Sequence, residues 1–374
     1  MTQHRRMLDG AGGSRAWSAV GLLDAVESVG LRGRGGGRFP VARKLRTALG
    51  ARGAPVLVVN AAEGEPASRK DRTLLALNPH LVLDGAQAAA RAIGAREVVL
   101  AAHEPSLLSG VLAERPRETS TRLVALQPGY VRSEASAVVS AASGGHGLPT
   151  TRWLPQAERG PGRRPWLVQN AETFACIGLL ARHGAEWYRQ VGAADEPGTQ
   201  LLTIGGGVRR PQVVEVPVGT TLRGAVDLAG GVIGRPQAFL VGGYAGRWLR
   251  AADCLDVPLS TQGLRAAGGT LGAGLVIALP VGACGLATTA RVVRYLAAQS
   301  ARQCGPCLNG LPALAAALQA LVDGRDTRDR IHRWCGQLPG RGACSHPDGA
   351  VALVSSALEV FGGPTGHPAL ELPT

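Results

Sequence analysis

Apolar residues in the first third of the chain form two kinds of run that alternate. Residues 55–60 and 97–103 are short, nearly continuous apolar runs next to turn residues, a pattern typical of strands buried on both faces. Residues 15–29 and 80–95 instead repeat apolar positions at helical spacing. Strands that alternate with helices in this way predict a layered α/β domain.

The pattern changes near residue 200, where short β-rich segments separated by turns begin. One helix is predicted among them, at LRGAVDLAGG (222–231), and the segment indicates a small separate domain of mixed strands. From about residue 287 the apolar spacing is helical. The three helices predicted there are TTARVVRYLAAQSA (288–301), LPALAAALQALVDG (311–324) and DGAVALVSSALEVFG (348–362).

Length and charge narrow the class of protein. At 374 residues the chain is long enough for two or three domains, since a domain typically has roughly 100–200 residues. Forty Lys and Arg against 27 Asp and Glu give a formal charge of +13. The basic residues are scattered and rarely interleaved with aromatic ones, which argues against a nucleic-acid-binding protein. The charge leaves acidic lipid, a phosphorylated cofactor or an acidic protein partner as explanations.

Neither a membrane span nor a signal sequence is evident. The nearest candidate for a span, residues 271–287, is interrupted by Pro280 and rich in glycine, and the charged N-terminus has no apolar core after it. We therefore expect a soluble cytoplasmic protein, peripheral to a membrane only through a partner. Seven cysteines, an odd number concentrated after residue 284, argue for reduced thiols or a metal site instead of a disulfide scaffold.

A glycine-rich loop, GLRGRGGGRFP (30–40), opens a basic helix. Its glycines permit tight turns and expose backbone amides, while the helix start directs its positive end to the same place, so the loop can hold a phosphate. Arg32, Arg34 and Lys44 favour this over a plain turn. A Rossmann fingerprint is poorly matched, because the loop follows a helix and Arg38 stands where that motif needs glycine.

Polar residues follow the first buried strand in NAAEGEPASRKDR (60–72). Asn60, Glu63 and Glu65 lie where open α/β sheets bind ligands, and their side chains can pair with a flavin edge or ribose hydroxyls. The alternative is an acidic turn facing its own Lys70 and Arg72, and the stretch alone does not decide between the two.

Two cysteines lie at a helix junction, in SARQCGPCLNGLP (300–312). Cys304 and Cys307 have the spacing of metal ligands or of a redox disulfide, and they could equally be small buried residues. No thioredoxin-like strand and helix surround them, which disfavours the redox disulfide. Cys176, Cys254 and Cys284 lie in apolar or glycine-rich stretches and are expected to pack in cores.

Taken in order along residues 25–360, these motifs resemble the 51 kDa flavoprotein family of NADH-quinone oxidoreductases, also called the F-subunit family, and the related diaphorases. The resemblance is carried by nine motifs: GLRGRGGGRFP, NAAEGEPASRKDR, NPHLVLDG, YVRSEASAV, WLVQNAETFACI, VVEVPVGTTLRGAVDLAGG, VGGYAG, SARQCGPCLNGLP and GRGACSHPDGAV. Several long motifs in the same order are far more specific than any one of them.

The resemblance implies an α/β fold class with three domains: an FMN- and NADH-binding α/β domain (1–198), a β-grasp domain of the SLBB type (199–283) and a C-terminal helical bundle (284–374). It implies FMN, NADH or NADPH and an iron–sulfur cluster as cofactors. Hydride would pass to the flavin, and electrons would leave through the cluster to a separate iron–sulfur or quinone-reducing partner. The flavin would perform the chemistry, so no catalytic side chain is assigned.

The resemblance also assigns residues to sites. The expected FMN phosphate cradle is Gly33, Arg34, Gly35, Gly36 and Lys44. The flavin would be flanked by Asn60 and Glu63, and its pocket completed by Glu134 and Asn170. The expected cluster ligands are Cys304, Cys307 and Cys344.

Four positions depart from the family pattern, and all four lie in ligand motifs. Arg38 replaces a glycine, Ala62 and Ala135 each replace an acid, and Ala301 replaces the first cysteine of a C-x-x-C-x-x-C run. Arg38 could occlude the nucleotide or bind a phosphate. Loss of two acids with gain of an arginine would favour the extra phosphate of NADPH.

The missing cysteine leaves the metal open, because a cubane cluster uses four thiolates. Cys335, His332 and His346 lie near Cys344 in sequence and could supply a fourth ligand. The site could otherwise hold a [3Fe–4S] cluster, zinc or no metal. The functional hypotheses are accordingly a flavin-dependent NAD(P)H oxidoreductase or, as the alternative, a non-catalytic relative that keeps the fold as a binding or scaffold subunit.

Overall fold

The computed structural model describes residues 5–9, 20–115, 119–151, 155–363 and 366–374. Along this part of the chain a parallel sheet covered by helices is followed by a mixed sheet and then by a group of helices.

The first part alternates strands and helices as its sequence pattern predicts, with the residues 15–19 of one predicted helix lying outside the described ranges. Its strands are β1 (Val56–Asn60), β2 (Glu97–Ala102), β3 (Ser120–Ala125) and β4 (Trp166–Asn170). Its helices are α1 (Leu22–Ser28), α2 (Val41–Gly50), α3 (Lys70–Leu77), α4 (Pro79–Ala92), α5 (Ser106–Ala113), α6 (Ala135–Ala142) and α7 (Ala171–Arg189).

The four strands form a parallel sheet in the order β3-β2-β1-β4. Strands β2, β1 and β4 are buried on both faces, whereas the edge strand β3 is partly exposed. Leu57 and Val59 of β1 pack with α4 and α7 in one core, whereas Val56 and Val58 pack with α6 in another. The chain moves outward from β1 to β3 and then returns to the other side of β1 with β4. A sheet that reverses in this way opens a crevice at the carboxyl ends of the two strands beside the reversal, here β1 and β4.

A five-stranded mixed sheet follows, in the order β10-β9-β11-β7-β8. After the small hairpin β5 (Gly192–Ala193) and β6 (Glu196–Pro197), its strands are β7 (Thr199–Gly206), β8 (Gln212–Pro217), β9 (Pro236–Val241), β10 (Arg247–Arg250) and β11 (Leu275–Pro280). The first and last strands, β7 and β11, run parallel at the centre. The prediction of one helix is wrong, because α9 (Ala251–Cys254) and α10 (Thr261–Ala266) accompany the predicted α8 (Leu222–Leu228).

This sheet is also covered on both faces. Val276 and Ala278 of β11 pack with α8 and α10, whereas Leu275, Ile277 and Leu279 pack with the helices that follow. Those helices are α11 (Gly285–Ala298), α12 (Leu311–Val322), α13 (Arg328–Gln337) and α14 (His346–Phe361), with a π-helical turn at Pro306–Gly310. The sequence pattern predicts three of them and misses α13.

Cys176, Cys254 and Cys284 are buried among apolar side chains, as their sequence surroundings predict. Within the residues described, none of the helices has both the length and the apolar character needed to cross a membrane.

Candidate functional site

A cavity of 560 Å³ lies at the carboxyl ends of β1 and β4, within the size range of small-molecule sites. All three parts of the chain contribute to its wall. The wall includes the glycine-rich loop and the ends of β1 and β4. It also includes residues before and at the start of α6, Gly242 and Gly272 in the loops beside β9 and β11, and Cys344–His346 before and at the start of α14.

The glycine-rich loop is held in one conformation by the backbone. Gly33 donates its N–H to the Phe39 carbonyl (3.0 Å), and the Arg34 N–H donates to Thr173 Oγ1 (2.9 Å). A Cβ on Gly35 would lie 3.1 Å from the Asn170 Cβ, and Gly36 has a φ of +98°, which disfavours any side chain. The loop therefore approaches β4 closely with its backbone, as a phosphate cradle requires.

The Arg34 guanidinium is directed away from a ligand. Arg34 is buried, and its Nη1 and Nη2 donate to Glu196 Oε1 and to the Thr199 carbonyl, each at 3.2 Å. Glu172 lies 3.9 Å from its Nε. Of the predicted cradle, Arg34 thus fixes the loop in two ways: its N–H is bonded to Thr173, and its side chain ties the loop to β6 and β7.

Arg38 makes a second tie to the same strands. Its Nη1 donates to Glu196 Oε1 (2.9 Å) and its Nη2 to Gln200 Oε1 (2.8 Å), and its backbone has a φ of +45°. Burial and then the neighbouring Arg34 lower the pKa of Arg38 to about 10, so the side chain remains charged at neutral pH. The guanidinium is held against the cavity wall.

Lys44 and the two asparagines reach the cavity from three different elements. Lys44 Nζ lies 3.4 Å from the Val168 carbonyl. Asn60 and Asn170 are neighbours across the β1–β4 ladder. Asn60 Nδ2 donates to the Ser133 carbonyl (2.8 Å), and Asn170 Nδ2 donates to Asp71 Oδ2 (2.6 Å). The two asparagines therefore fix adjacent wall segments as well as line the cavity.

Glu63 and Glu134 both accept hydrogen bonds at helix starts. Glu63 accepts from the N–H groups of Asp71 (3.2 Å) and Arg72 (3.3 Å) in the first turn of α3. Glu134 caps α6 and accepts from the Ser136 N–H (2.7 Å). A carboxylate at a helix N-terminus satisfies orphan amides and the helix dipole, so both residues position cavity-lining backbone.

Lys70 does not pair with Glu63 or Glu65, so the alternative of an acidic turn that faces its own Lys70 is wrong for this residue. Lys70 is buried and pairs with Asp71 (2.7 Å) and with Glu172 at the start of α7 (2.9 Å). Burial raises the pKa of Asp71 to about 6, with Lys70 acting in the opposite direction. This triad joins α3 to α7 beneath the cavity, and no sequence pattern signals its long-range member, Glu172.

Glu65, to which the resemblance assigns no role, is the most perturbed acid of the cavity wall. Burial raises its pKa to about 8, so its carboxyl group is protonated at neutral pH. Its Oε2 lies 2.8 Å from the Tyr244 N–H and 3.5 Å from the Tyr130 hydroxyl. Its Oε1 is buried without a partner. The sequence signal available for this residue was its place in a turn with two acids, Glu63 and Glu65, directly after a buried strand.

Five buried polar atoms of the cavity wall lack a hydrogen-bond partner within the described part of the chain: Arg34 Nε, Arg38 Nε, Glu65 Oε1, Gln169 Nε2 and His346 Nδ1. Such atoms are costly unless something binds them. Donors, acceptors and exposed loop amides therefore surround a space of ligand size, and the cavity fits a polar, phosphate-bearing cofactor such as FMN.

Of the three predicted cluster ligands, Cys344 lines this cavity, and Cys307 interacts with both Cys344 and Cys304. Burial, then Cys304 and then Cys344, raise the pKa of the Cys307 thiol to about 12. The Arg302 N–H donates a hydrogen bond to the Cys307 sulfur, and the backbone of Arg302 has a left-handed φ of +54°. No group of three His, Cys, Asp or Glu side chains in the described ranges already encloses a metal position. Thiols are suitable donors for iron–sulfur chemistry, but three of them leave one iron of a cubane without a cysteine.

The three candidate fourth ligands differ in their surroundings. Cys335 is half-buried on α13. Its thiol is hydrogen-bonded to Ser355 and packs against the helical core. His332 is exposed on the same helix. His346 is buried, and its Nε2 lies 2.8 Å from the Leu296 carbonyl.

Comparison with family models gives three matches in the order of the sequence. They are the Nuo51 FMN-binding domain over residues 26–179, the SLBB domain over 201–243 and the NADH-ubiquinone oxidoreductase-F iron-sulfur binding region over 287–364. Together with the two sheets and the terminal helices, these matches confirm the predicted fold class.

Curated relatives match over nearly the whole chain. The F-subunit of the NADH-quinone oxidoreductase of Streptomyces coelicolor is 29% identical over 363 residues, covering 91% of this chain and 81% of the relative. The protein of the same name in Escherichia coli is 28% identical over 369 residues, covering 91% and 82%. These identities are modest, in keeping with a divergent member.

Among solved structures, an NAD+-reducing [NiFe]-hydrogenase in the H2-reduced state matches with a TM-score of 0.85 and 29% identity. The match covers 92% of this chain and 62% of the hydrogenase chain. The air-oxidized state of such a hydrogenase gives a TM-score of 0.84. These relatives and structures all carry the names of redox enzymes, and none supports the alternative of a non-catalytic scaffold.

Proposed function

Because the chain belongs to the 51 kDa flavoprotein (F-subunit) family of NADH-quinone oxidoreductases and related diaphorases, we propose that it is a flavin-dependent NAD(P)H oxidoreductase. It passes electrons from FMN through an iron–sulfur centre to a protein or quinone-reducing partner. FMN, when bound, supplies the chemistry by accepting a hydride and releasing single electrons.

One observation carries this proposal. The glycine-rich loop and the carboxyl ends of β1 and β4 line one side of the cavity, and Cys344–His346 line another. A ligand in this space therefore lies beside the cysteine site with no intervening domain. A two-electron acceptor next to a one-electron centre is the arrangement that an electron relay needs.

The chain would hold the FMN phosphate mainly with backbone. We assign the loop Gly33–Gly36 and the Lys44 ammonium to the phosphate. The amides of Gly35 and Gly36 would bind it, whereas those of Gly33 and Arg34 fix the loop through their bonds to Phe39 and Thr173. The Arg34 side chain strengthens the cradle indirectly, because its bonds to Glu196 and Thr199 prevent the loop from moving away. Exposed amides of a fixed loop are well suited to an anion.

The wall beside the flavin would be built by Asn60, Glu63, Glu134 and Asn170, which keep their assignment to this pocket. Their hydrogen bonds to neighbouring backbone and side chains fix the spacing of the wall. Glu65 adds a neutral carboxyl group that holds a proton at neutral pH, and its unpartnered Oε1 would bond a polar group of the bound ligand. Such groups orient a cofactor without charging the pocket.

NADH is the proposed hydride donor. Both terminal nitrogens of Arg38 are bonded to Glu196 and Gln200, so this arginine gives no support to a site for the 2′-phosphate of NADPH. The proposed acceptor is a separate iron–sulfur protein subunit of an assembly. We place the chain in the cytoplasm, peripheral to the membrane through that partner.

The test compares two glycines with the same backbone strain. Gly36 (φ +98°) lines the cavity, whereas Gly53 (φ +88°) lies outside it, and an added Cβ meets nothing closer than 3.9 Å at either position. We expect Gly36→Ala to weaken FMN binding and slow NADH-dependent ferricyanide reduction at least tenfold, with Gly53→Ala leaving both unchanged. Equal behaviour of the two variants, or no NADH-dependent reduction by FMN-loaded wild-type protein, would contradict the proposed function.

A further inference from the structure

The cysteine site contains three thiols where a cubane cluster has four iron atoms to bind. Cys304, Cys307 and Cys344 interact electrostatically, and Ala301, three residues before Cys304, has no donor atom. The fourth iron must therefore bind another side chain or an external ligand.

The surroundings of the nearby donors exclude two of them. Cys335 is bonded to Ser355 and packed into the core of α11–α14, so it would have to leave both to reach a metal. His332 is exposed on α13, and in the described part of the chain no hydrogen bond or ion pair holds its ring. Neither has the fixed, unsatisfied lone pair that a ligand position requires.

His346 does have such a lone pair. Its Nε2 lies 2.8 Å from the Leu296 carbonyl, and a carbonyl oxygen only accepts hydrogen bonds, so Nε2 carries the ring hydrogen. In the neutral ring Nδ1 is then a bare acceptor, buried and without a partner. Metal-binding histidines commonly donate their other ring N–H to a backbone carbonyl, which fixes the tautomer and the ring orientation.

The His346 imidazole also lies close in the fold to Cys344, one of the three cysteines of the site. His346 is two residues after Cys344, and both line the same cavity. Its hydrogen-bond acceptor, Leu296, belongs to the last turn of α11, from which the chain continues directly to Ala301 and Cys304. The ring is thus bonded to the segment that leads to the position lacking a cysteine.

We propose that His346 Nδ1 is the fourth protein ligand of an iron–sulfur cluster whose other three ligands are the thiolates of Cys304, Cys307 and Cys344. This inference rests on the iron–sulfur centre of the proposed function and specifies how this chain holds it. The three thiols release their protons when they bind iron. His346 retains its Nε2 proton on the Leu296 carbonyl and binds iron through the Nδ1 lone pair.

The test uses the full chain, loaded with FMN and reconstituted anaerobically with iron and sulfide. Wild-type protein is produced with histidine labelled with nitrogen-15, and the dithionite-reduced cluster is studied by pulsed EPR. We expect about four iron atoms per chain and a nitrogen hyperfine coupling that changes with the label. His346→Ala should lose the coupling and bind about three iron atoms, and His332→Ala should resemble wild type.

A second substitution guards against a folding defect. His346→Cys should bind about four iron atoms without the nitrogen coupling, because it supplies a fourth thiolate. FMN affinity of each variant shows that the cavity is intact. About four iron atoms in wild type and in His346→Ala, with no nitrogen coupling in either, would overturn the histidine ligand while leaving the relay in place. Failure of every variant, including His346→Cys and Ala301→Cys, to bind iron would overturn the iron–sulfur centre itself.

Discussion

Two ends of the cavity are constructed in different ways: the proposed nucleotide end, at the glycine-rich loop, and the cysteine end, at Cys344–His346. At the nucleotide end, Arg34 and Arg38 tie the glycine-rich loop to β6 and β7, and helix-capping carboxylates hold the wall. At the cysteine end three thiols lie near one another, but no three donors enclose a metal position in the described ranges. The first end is assembled by the fold, and the second needs its metal to be completed.

The difference shows which departures from a family pattern a site tolerates. The proposed cradle of backbone amides would survive the change of a neighbouring glycine to Arg38, because the Arg38 side chain has Glu196 and Gln200 as partners. A metal site depends on individual side chains, so the loss of one thiolate at Ala301 must be compensated by another donor. Substitutions at the nucleotide end should therefore reveal how far the fold assembles it without a ligand.

The largest effect is expected from Glu196→Gln, which would break the preassembled end. Glu196 pairs with both Arg34 (3.2 Å) and Arg38 (2.9 Å), and all three side chains are nearly inaccessible to solvent. Removing the shared acid leaves the buried Arg38 without a carboxylate and Arg34 with only Glu172, 3.9 Å from its Nε, and should lower the free energy of unfolding by about 3–5 kcal/mol. Urea denaturation measures this. Asp256→Asn, which removes the partner of the exposed Arg223, is the matched control and should leave the midpoint unchanged.

An intermediate effect is expected on the pH dependence of stability. The pKa of Glu65 is raised to about 8 in the folded chain, so the folded state binds a proton that the unfolded state has released. Stability from this proton is fully present below the unfolded pKa near 4.5 and is lost as the pH rises through 8. The free energy of unfolding should therefore fall by a few kcal/mol more in wild type than in Glu65→Gln between pH 5 and about 8.5. Parallel pH profiles from denaturant unfolding would show that Glu65 is ionised in the fold.

The smallest effect is expected from Arg38→Gly, which sharpens the comparison by restoring the family residue. The substitution removes two hydrogen bonds, which lowers the stability of the loop, and relieves a φ of +45°, which raises it. Each change contributes about 1 kcal/mol, so they nearly cancel. FMN affinity, measured by quenching of flavin fluorescence, should change less than about threefold, which corresponds to roughly 0.6 kcal/mol. A gain of tenfold or more would mean that Arg38 obstructs the cofactor instead of bracing the wall.

Much of the fold follows from apolar periodicity, and its omissions have identifiable causes. Strands β1 and β2 and helix α4 stand out because their runs are long and consistently spaced. Helix α13 escapes the pattern because its segment is dominated by Arg, Asp and other polar residues, with Ile331 its only fully buried side chain. Helices α9 and α10 are too short to give a periodic signal.

The site was less accessible to sequence reasoning because its contacts are long-range. Lys70 pairs with its sequence neighbour Asp71, but folding also brings it to Glu172, about a hundred residues away, and proximity in the sequence does not indicate that second pair. The bond between Arg38 and Glu196 spans 158 residues, and neither residue signals the other. The distinction between His346 and Cys335 depends on which lone pair remains unpartnered, and only the packed structure shows that.

The proposed relay requires NADH to reduce a flavin that lies beside an iron–sulfur centre in one cavity. This is measured by an anaerobic absorption spectrum of the full chain reconstituted with FMN, iron and sulfide, recorded before and after addition of NADH. We expect flavin bands with a broad iron–sulfur shoulder, both bleached by NADH. A reconstituted protein that shows the flavin bands but keeps them unchanged after NADH, or that binds neither cofactor, would contradict the relay.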